Sequence, residues 1–135
     1  MRVGDQTKQD ASVQSPAPFV GTFTRDMTAA TGSAAITGIG FTPSAVLFST
    51  AIEFSIAYSM GFAGDNTERV WGLKDDGTSD WEDGGSNICM YIKTGGGQAQ
   101  AGGIDSYDSD GFTVGWIKVG TPAAGTARVN FIAYK

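Results

Sequence analysis

The chain of 135 residues contains no histidine, one cysteine and only four prolines. Without histidine it lacks the usual general base, the commonest metal ligand and any Ser-His or Cys-His nucleophile pair. Enzyme chemistry would have to come from carboxylates or lysine, so we expect no enzymatic activity. The single cysteine, Cys89, excludes an internal disulfide, and its strand-like neighbours indicate a buried, unreactive thiol.

Charge and hydrophobicity exclude two further classes of partner. Nine Lys and Arg against fourteen Asp and Glu give a net charge of −5. The basic residues form no cluster, and nucleic-acid binding needs a basic surface, so we expect no nucleic-acid partner. No apolar run approaches the roughly 20 residues of a membrane span, and the first residues lack the apolar core of a signal peptide. We expect a protein made in the cytoplasm, with no membrane partner.

Glycine and aromatic residues favour an all-β domain. Each glycine in a helix interior costs about 1 kcal/mol relative to alanine, and this chain has 20 glycines. Glycine between β-branched and aromatic runs is typical of short strands joined by tight turns. Eight Phe, three Trp and four Tyr supply a core for one domain. We predict a single antiparallel β-sandwich of about eight or nine strands.

The residues from Asp105 to Lys135 have the clearest pattern. Asp108 to Gly111 is a turn sequence, in which glycine accepts positive φ. Phe112 to Ile117 and Arg128 to Tyr134 alternate apolar and other residues, with a connector at 120–125. This pattern predicts a β-hairpin. Because an apolar strand at a sheet edge invites aggregation, the terminal strand is predicted to lie inside a sheet.

Two other segments have strong strand patterns. Ala45 to Thr50 is nearly continuously apolar, which is typical of a central strand. From Ile52 to Ala63 large apolar residues recur at every second position, which predicts one long half-buried strand. Those large residues are Phe54, Ile56, Tyr58, Met60 and Phe62.

Residues 1–18 are polar and without periodicity, and they end in Ser-Pro-Ala-Pro. This composition predicts an extended N-terminal arm, with the β-sandwich domain running from 19 to 135. The arm is either a disordered tail or a segment that lies along a neighbouring subunit. In the second case Pro16, Pro18 and Phe19 are candidate partner contacts.

The most polar stretch, Lys74 to Ser86, is predicted to be an exposed loop. Its acids do not have EF-hand spacing, so a solvated loop is favoured over a calcium site or a catalytic carboxylate pair. Those acids are Asp75, Asp76, Asp80, Glu82 and Asp83. Trp81 within this loop is a candidate contact to another subunit or to the rest of the domain or, with Trp71, a platform for a sugar. Asp108 and Asp110 resemble a short calcium motif, but turn chemistry explains them, and we predict no metal site.

Four segments carry a resemblance to a known family. They are Gly40 to Phe48, Tyr58 to Phe62, Asp108 to Val114 and Gly125 to Tyr134. Together they resemble small virion proteins of tailed bacteriophages and prophages. Within that group they are similar to jelly-roll head-decoration (cement) proteins and to related β-domains of tail and fibre proteins. The resemblance covers residues 19–135 and is one of strands and turns.

The resemblance implies a jelly-roll sandwich used for assembly, without cofactors. The expected function is that of a decoration protein on the outer capsid surface of the virion, where it would bind the major capsid protein and oppose separation of its subunits. The expected form is a homo-oligomer, with a trimer favoured. The alternative is a receptor-binding or carbohydrate-binding module of a phage tail or fibre.

Overall fold

A computed structural model of the chain describes residues 16–53, 58–73, 82–83 and 87–135, which form ten strands. Among these residues no helix is long and apolar enough to cross a membrane. The strands are β1 (Phe19–Asp26), β2 (Gly32–Ile36), β3 (Ala45–Ile52), β4 (Tyr58–Gly64), β5 (Thr67–Leu73), β6 (Glu82–Asp83), β7 (Met90–Gly95), β8 (Gln98–Asp108), β9 (Gly111–Val119) and β10 (Thr126–Tyr134). The two-residue β6 accounts for the excess over the predicted eight or nine.

The strands form two antiparallel sheets that pack face to face. The larger sheet has the order β1-β10-β3-β4-β5-β6, and the smaller has the order β2-β9-β8-β7. Both contribute to one buried core, in which Phe112 of β9 contacts Phe48 of β3 and Phe131 of β10. The ring centroids of these pairs are 5.7 and 5.3 Å apart, and both pairs are edge-to-face. The predicted all-β sandwich is confirmed.

The larger sheet has a Greek-key order, and the smaller sheet has the same order when the chain is followed from its C-terminal end. β3, β4 and β5 are successive neighbours, and β10 returns to lie beside β3. β7, β8 and β9 are likewise successive, with β2 beside β9. Three hairpin-connected strands with a distant fourth beside the first define the Greek key. Jelly rolls contain two such units, but the finer assignment to a jelly roll stays a prediction.

The predicted C-terminal hairpin is wrong, although its two strands are present. β9 pairs with β2 and β8, whereas β10 pairs with β1 and β3, so the connector at 120–125 crosses from one sheet to the other. The apolar sides of both strands are buried, and Phe112 and Phe131 meet across the core. The two strands therefore face one another instead of lying side by side.

Strands β3 and β10 occupy the interior positions predicted for them. β10 lies between β1 and β3, and β3 lies between β10 and β4. The turn predicted at Asp108 to Gly111 joins β8 to β9, and Gly111 has φ +153°. The hairpin at this end of the chain is therefore β8–β9.

The predicted long strand from Ile52 to Ala63 is wrong as one element. β3 ends at Ile52 and β4 begins at Tyr58, while residues 54–57 lie outside the described part of the chain. β4 retains the predicted alternation, but its large side chains point away from the core. The inward-facing positions of β4 are occupied by small residues, namely Ser59, Gly61 and Ala63, which are buried.

The backbone of the opposite sheet explains this inversion. A Cβ atom on Gly61 would overlap the carbonyl oxygen of Cys89, just ahead of β7. The Ser59 hydroxyl accepts a hydrogen bond from the Tyr91 amide at 3.3 Å and lies 2.5 Å from the Thr50 hydroxyl. Since main chain fills the space below β4, its large side chains are left on the outer face of the sheet.

The predicted domain boundary falls at the first residue of β1, which is Phe19. Residues 1–15 lie outside the described part of the chain, so the N-terminal arm stays a prediction.

Candidate protein-interaction surface

The outer face of the larger sheet carries an extensive apolar surface. Among the described residues seven large hydrophobic side chains are exposed, and six of them lie on this face. We call this surface the apolar outer face. It consists of Val20, Leu47, Tyr58, Met60, Trp71 and Tyr134, with the half-buried Phe62 and Ile132 between them. Soluble monomers rarely expose apolar patches larger than a few hundred Å², so such a patch is typical of a binding surface.

Strand register places these side chains in rows across the sheet. Val20 of β1 is opposite Ile132 of β10, and Ile132 is opposite Leu47 of β3. Leu47 is in turn opposite Phe62 of β4. Because neighbouring strands lie about 4.8 Å apart, this row extends roughly 14 Å without a polar side chain. A row of this length is a continuous contact surface and not a set of isolated exposed residues.

A cavity of about 240 Å³ opens on this face beside β4. Its walls include Leu47, Tyr58, Met60 and Trp71, and the lining is mostly apolar. Met60 and Trp71 are directly opposite each other on β4 and β5. An apolar side chain from a partner could enter this cavity and leave no polar group unpaired.

Charge is sparse on the apolar outer face. In the rows through Leu47 and Met60, Arg69 of β5 is charged and its guanidinium donates to the Glu68 carbonyl at 2.8 Å, while the register places Asp83 of β6 opposite Trp71. Nearby, Arg128 and Glu53 form an ion pair at 2.9 Å. The surface therefore favours a partner that is apolar where it touches these rows.

A second candidate is a polar cavity of about 310 Å³ beside β5 and β8, lined in part by Glu68, Asp105 and Tyr107. Both of its carboxylates already have partners within the chain. Glu68 accepts from the Ile104 amide at 3.1 and 3.2 Å, and Asp105 accepts from the Ser33 hydroxyl at 2.7 Å. The described residues contain no group of three or more potential metal ligands. These contacts hold the cavity walls together.

Burial shifts the pKa values of the groups near this polar cavity. It raises the pKa of Glu68 above the ordinary 4.5, although hydrogen bonding to Ile104 partly offsets the shift. It also raises the pKa of Tyr107 to about 12. Burial raises the pKa of the Cys89 thiol far above its usual range, and this side chain is fully buried, as predicted. A nucleophilic cysteine needs a thiolate, so Cys89 is not suited to that role.

The residues predicted to contact a partner differ in their exposure. Pro16 and Pro18 are exposed, whereas Phe19 is half-buried and stacks on Phe131 with ring centroids 6.0 Å apart. Phe19 thus packs against the core of its own chain. Trp81 lies outside the described residues, as does most of the acidic loop around it. Partner binding by these four residues stays a prediction.

Turn chemistry accounts for Asp108 and Asp110. Asp108 accepts hydrogen bonds from the hydroxyls of Ser106 and Thr113, each at 2.8 Å. Asp110 accepts from the amides of Gly40 and Gly38 at 2.7 and 3.0 Å, which lowers its pKa. Both carboxylates therefore fix loops, in agreement with the structural interpretation of the sequence.

Comparison of the chain with protein-family models, curated proteins and solved structures gives no match. Sequence reasoning missed the apolar outer face, because the alternation in β4 was interpreted only as a half-buried strand. The small residues between Tyr58, Met60 and Phe62 are compatible with either side of the strand facing inward, so the sequence of β4 contains no signal for the inversion.

Proposed function

We propose that this protein is a structural, non-enzymatic component of a protein assembly and that it works by binding protein subunits. The observation that carries the proposal is the apolar outer face, where six of the seven exposed large hydrophobic side chains in the described residues are concentrated. Burying apolar surface contributes about 25 cal/mol per Å² of favourable free energy, so a partner that covers this face binds with a substantial hydrophobic contribution.

The setting that we propose is the surface of a bacteriophage head. The strand and turn segments resemble cement proteins, and a jelly-roll sandwich is the fold expected of them. In this role the protein is a homo-oligomer that contacts neighbouring copies of the major capsid protein and opposes their separation. The oligomer supplies several weak capsid contacts at once, and linked contacts bind far more tightly than single ones.

A second candidate function is a receptor-binding or carbohydrate-binding module of a tail or fibre. The observation that favours it is the pair of exposed aromatic residues Trp71 and Tyr58 on one face of a sandwich. Aromatic rings that remain in contact with water are common in binding sites, because one part of the ring system is apolar and another can hydrogen-bond. Loss of glycan-array binding on Trp71→Ala or Trp81→Ala would favour this candidate.

The test is co-sedimentation of the purified protein with isolated phage capsids and, separately, with isolated tails. We expect binding to capsids, and we expect Met60→Lys to weaken it at least tenfold, because a lysine on the apolar outer face breaks the homo-oligomer whose linked contacts hold the capsid. The matched control is Ile117→Lys on the outer face of the smaller sheet, because Ile117 is 55% exposed and Met60 is 58% exposed. Both residues lie on interior strands of their sheets.

The control should bind capsids as the unmodified protein does. Binding to tails alone would contradict the decoration proposal. Equal capsid binding by Met60→Lys and Ile117→Lys would show that the apolar outer face has no part in capsid binding.

A further inference from the structure

We infer that the partner covering the apolar outer face is a second copy of this chain, packed face to face about a two-fold axis. The inference rests on the proposed function in so far as an oligomer is the form in which the protein would act. It names the contact that builds the oligomer, and it predicts a dimer where the resemblance favoured a trimer.

The first argument is self-complementary shape. In a two-fold interface the same patch serves both subunits, so each patch must present both a protrusion and a recess. Val20 on the edge strand β1 is 71% exposed, the largest value among the exposed hydrophobic residues. The cavity beside β4 lies three strands away on the same face. The apolar outer face thus carries both parts.

The order of strands shows how the two parts meet. A two-fold axis parallel to the strands and midway between β10 and β3 places β10 over β3 of the partner and β1 over β4 of the partner. Val20 of each copy then lies above the cavity of the other. Aligned sheets pack face to face in this way in ordinary β-sandwiches, at about 10 Å separation.

The second argument is electrostatic. Each copy carries a net charge of −5, so two copies repel unless they meet where carboxylates are absent. In the rows through Leu47 and Met60, strands β1, β10, β3, β4 and β5 present no carboxylate and a single cation, Arg69, and the register places Asp83 of β6 at the far end of the Met60 row. The apolar outer face is therefore a part of the surface on which two copies approach with little repulsion.

The third argument is area. Tyr58, Trp71 and Tyr134 are 40–48% exposed, and since a fully buried aromatic side chain covers about 150–250 Å², these three present roughly 200–300 Å² together. Val20, Leu47 and Met60 add aliphatic surface. A stable interface buries about 800 Å² per partner, with an apolar core inside a polar rim. These apolar side chains are enough for such a core, and the polar Ser49 and Asn130 lie opposite each other on β3 and β10, within the face.

The test is the mass of the full chain in solution, measured by sedimentation velocity over a hundredfold range of concentration. We expect a monomer–dimer equilibrium. Met60→Lys and Val20→Lys should each raise the dissociation constant at least tenfold, and Ile117→Lys should leave it unchanged. Far-ultraviolet circular dichroism and thermal unfolding check that every variant is folded.

Salt adds a second measurement. Association through an apolar face between two acidic chains should be unchanged or strengthened when NaCl is raised from 0.05 to 0.5 M. This increase shortens the Debye length from about 14 Å to about 4 Å, so the salt screens the net repulsion between the two chains. Weakening by salt would assign the contact to ion pairs and overturn the inference.

Other outcomes also decide between the claims. A monomer at every concentration, a trimer, or a dimer that Ile117→Lys weakens as much as Met60→Lys would overturn the two-fold contact. A monomer that still binds capsids would leave the proposed function standing. A dimer that binds no capsid would support the contact and remove the proposed function.

Discussion

At the scale of single residues, folding shifts the pKa values of two carboxyl groups in opposite directions. Glu68 is half-buried, and desolvation disfavours its charged form, so its pKa is raised. Asp110 is fully exposed, and its charged form accepts two backbone hydrogen bonds, so its pKa is lowered. These opposite shifts give the two residues opposite contributions to stability as the pH changes.

Glu68→Gln should increase stability at neutral pH. A carboxyl group whose pKa is raised on folding binds its proton more tightly in the folded state. Its favourable contribution is therefore complete below the unfolded value near 4.5 and is lost as the pH rises through the folded value. Glutamine is always neutral and keeps an acceptor for the Ile104 amide. Urea unfolding at pH 7.5 should show a more stable variant, and at pH 3.5 the difference should vanish.

Asp110→Asn is the control, because it should change stability at neutral pH in the direction opposite to Glu68→Gln. Because folding lowers the pKa of Asp110, its contribution is present above the unfolded pKa and is lost as the pH falls through the folded value. The asparagine variant should therefore be less stable than the unmodified chain at pH 7.5, with a smaller difference in acid. A Glu68→Gln variant that is destabilised at both pH values would contradict our account of Glu68.

Single residues also show where sequence reasoning stops. The turn role of Asp110 was predictable from its neighbours, but its bonds to Gly38 and Gly40 join residues about 70 positions apart. Gln100 is fully buried and donates to the carbonyls of Met27 and Ala29 at 3.0 and 2.8 Å. The sequence around Gln100 is that of an ordinary polar strand and does not indicate that this side chain is buried. Only the packing of β8 against the β1–β2 loop makes it a core residue.

At the scale of elements, strand positions followed from local pattern and strand partners did not. Alternation in β9 and β10 reports which side of each strand is buried, and that part of the prediction is confirmed. It cannot distinguish two strands that lie side by side from two that face each other across a core. The connector at 120–125 is short enough for a hairpin, yet it joins the two sheets.

Strand β4 gives the other lesson at this scale. A period of two indicates that a strand has two different sides, but the side that faces inward depends on what lies below it. Here the main chain ahead of β7 approaches Gly61 too closely for any side chain. The inversion that creates the apolar outer face is therefore a property of the packed sandwich, and the sequence of β4 alone does not reveal it.

Gly61→Ala tests this explanation. The added Cβ meets the Cys89 carbonyl oxygen, which is backbone and cannot turn aside as a side chain would. Overpacking of this kind costs about 1–3 kcal/mol or more, so we expect at least that loss in the free energy of unfolding. Denaturant unfolding of the purified variant measures it.

Gly32→Ala is the matched control, since a Cβ there has no atom within 4 Å. Its effect should stay within about 0.5 kcal/mol, as is usual for surface substitutions. If both variants unfold at the same denaturant concentration as the unmodified chain, the close approach of the sheets at Gly61 does not constrain β4.

At the scale of the whole molecule, the net negative charge and the apolar outer face have complementary effects on association. A net charge of −5 favours solubility and opposes indiscriminate association. Within the described residues, the apolar outer face gathers six of the seven exposed large hydrophobic side chains on one surface. Composition predicted the sandwich, because glycine and aromatic content are totals along the chain. The face arises from residues of five strands, so no local pattern could reveal it.

The most direct test of this account is the oxidation rate of Met60 under hydroxyl-radical footprinting, compared between the dissociated and the assembled protein. Met60 is 58% exposed, while Met27 and Met90 are fully buried and serve as internal references. A reporter peptide in each sample corrects for radical dose. We predict that assembly slows oxidation of Met60 several-fold, with Met27 and Met90 little oxidised in both samples. Equal oxidation of Met60 in the two samples would show that the apolar outer face stays open to water in the assembly, and would contradict the account.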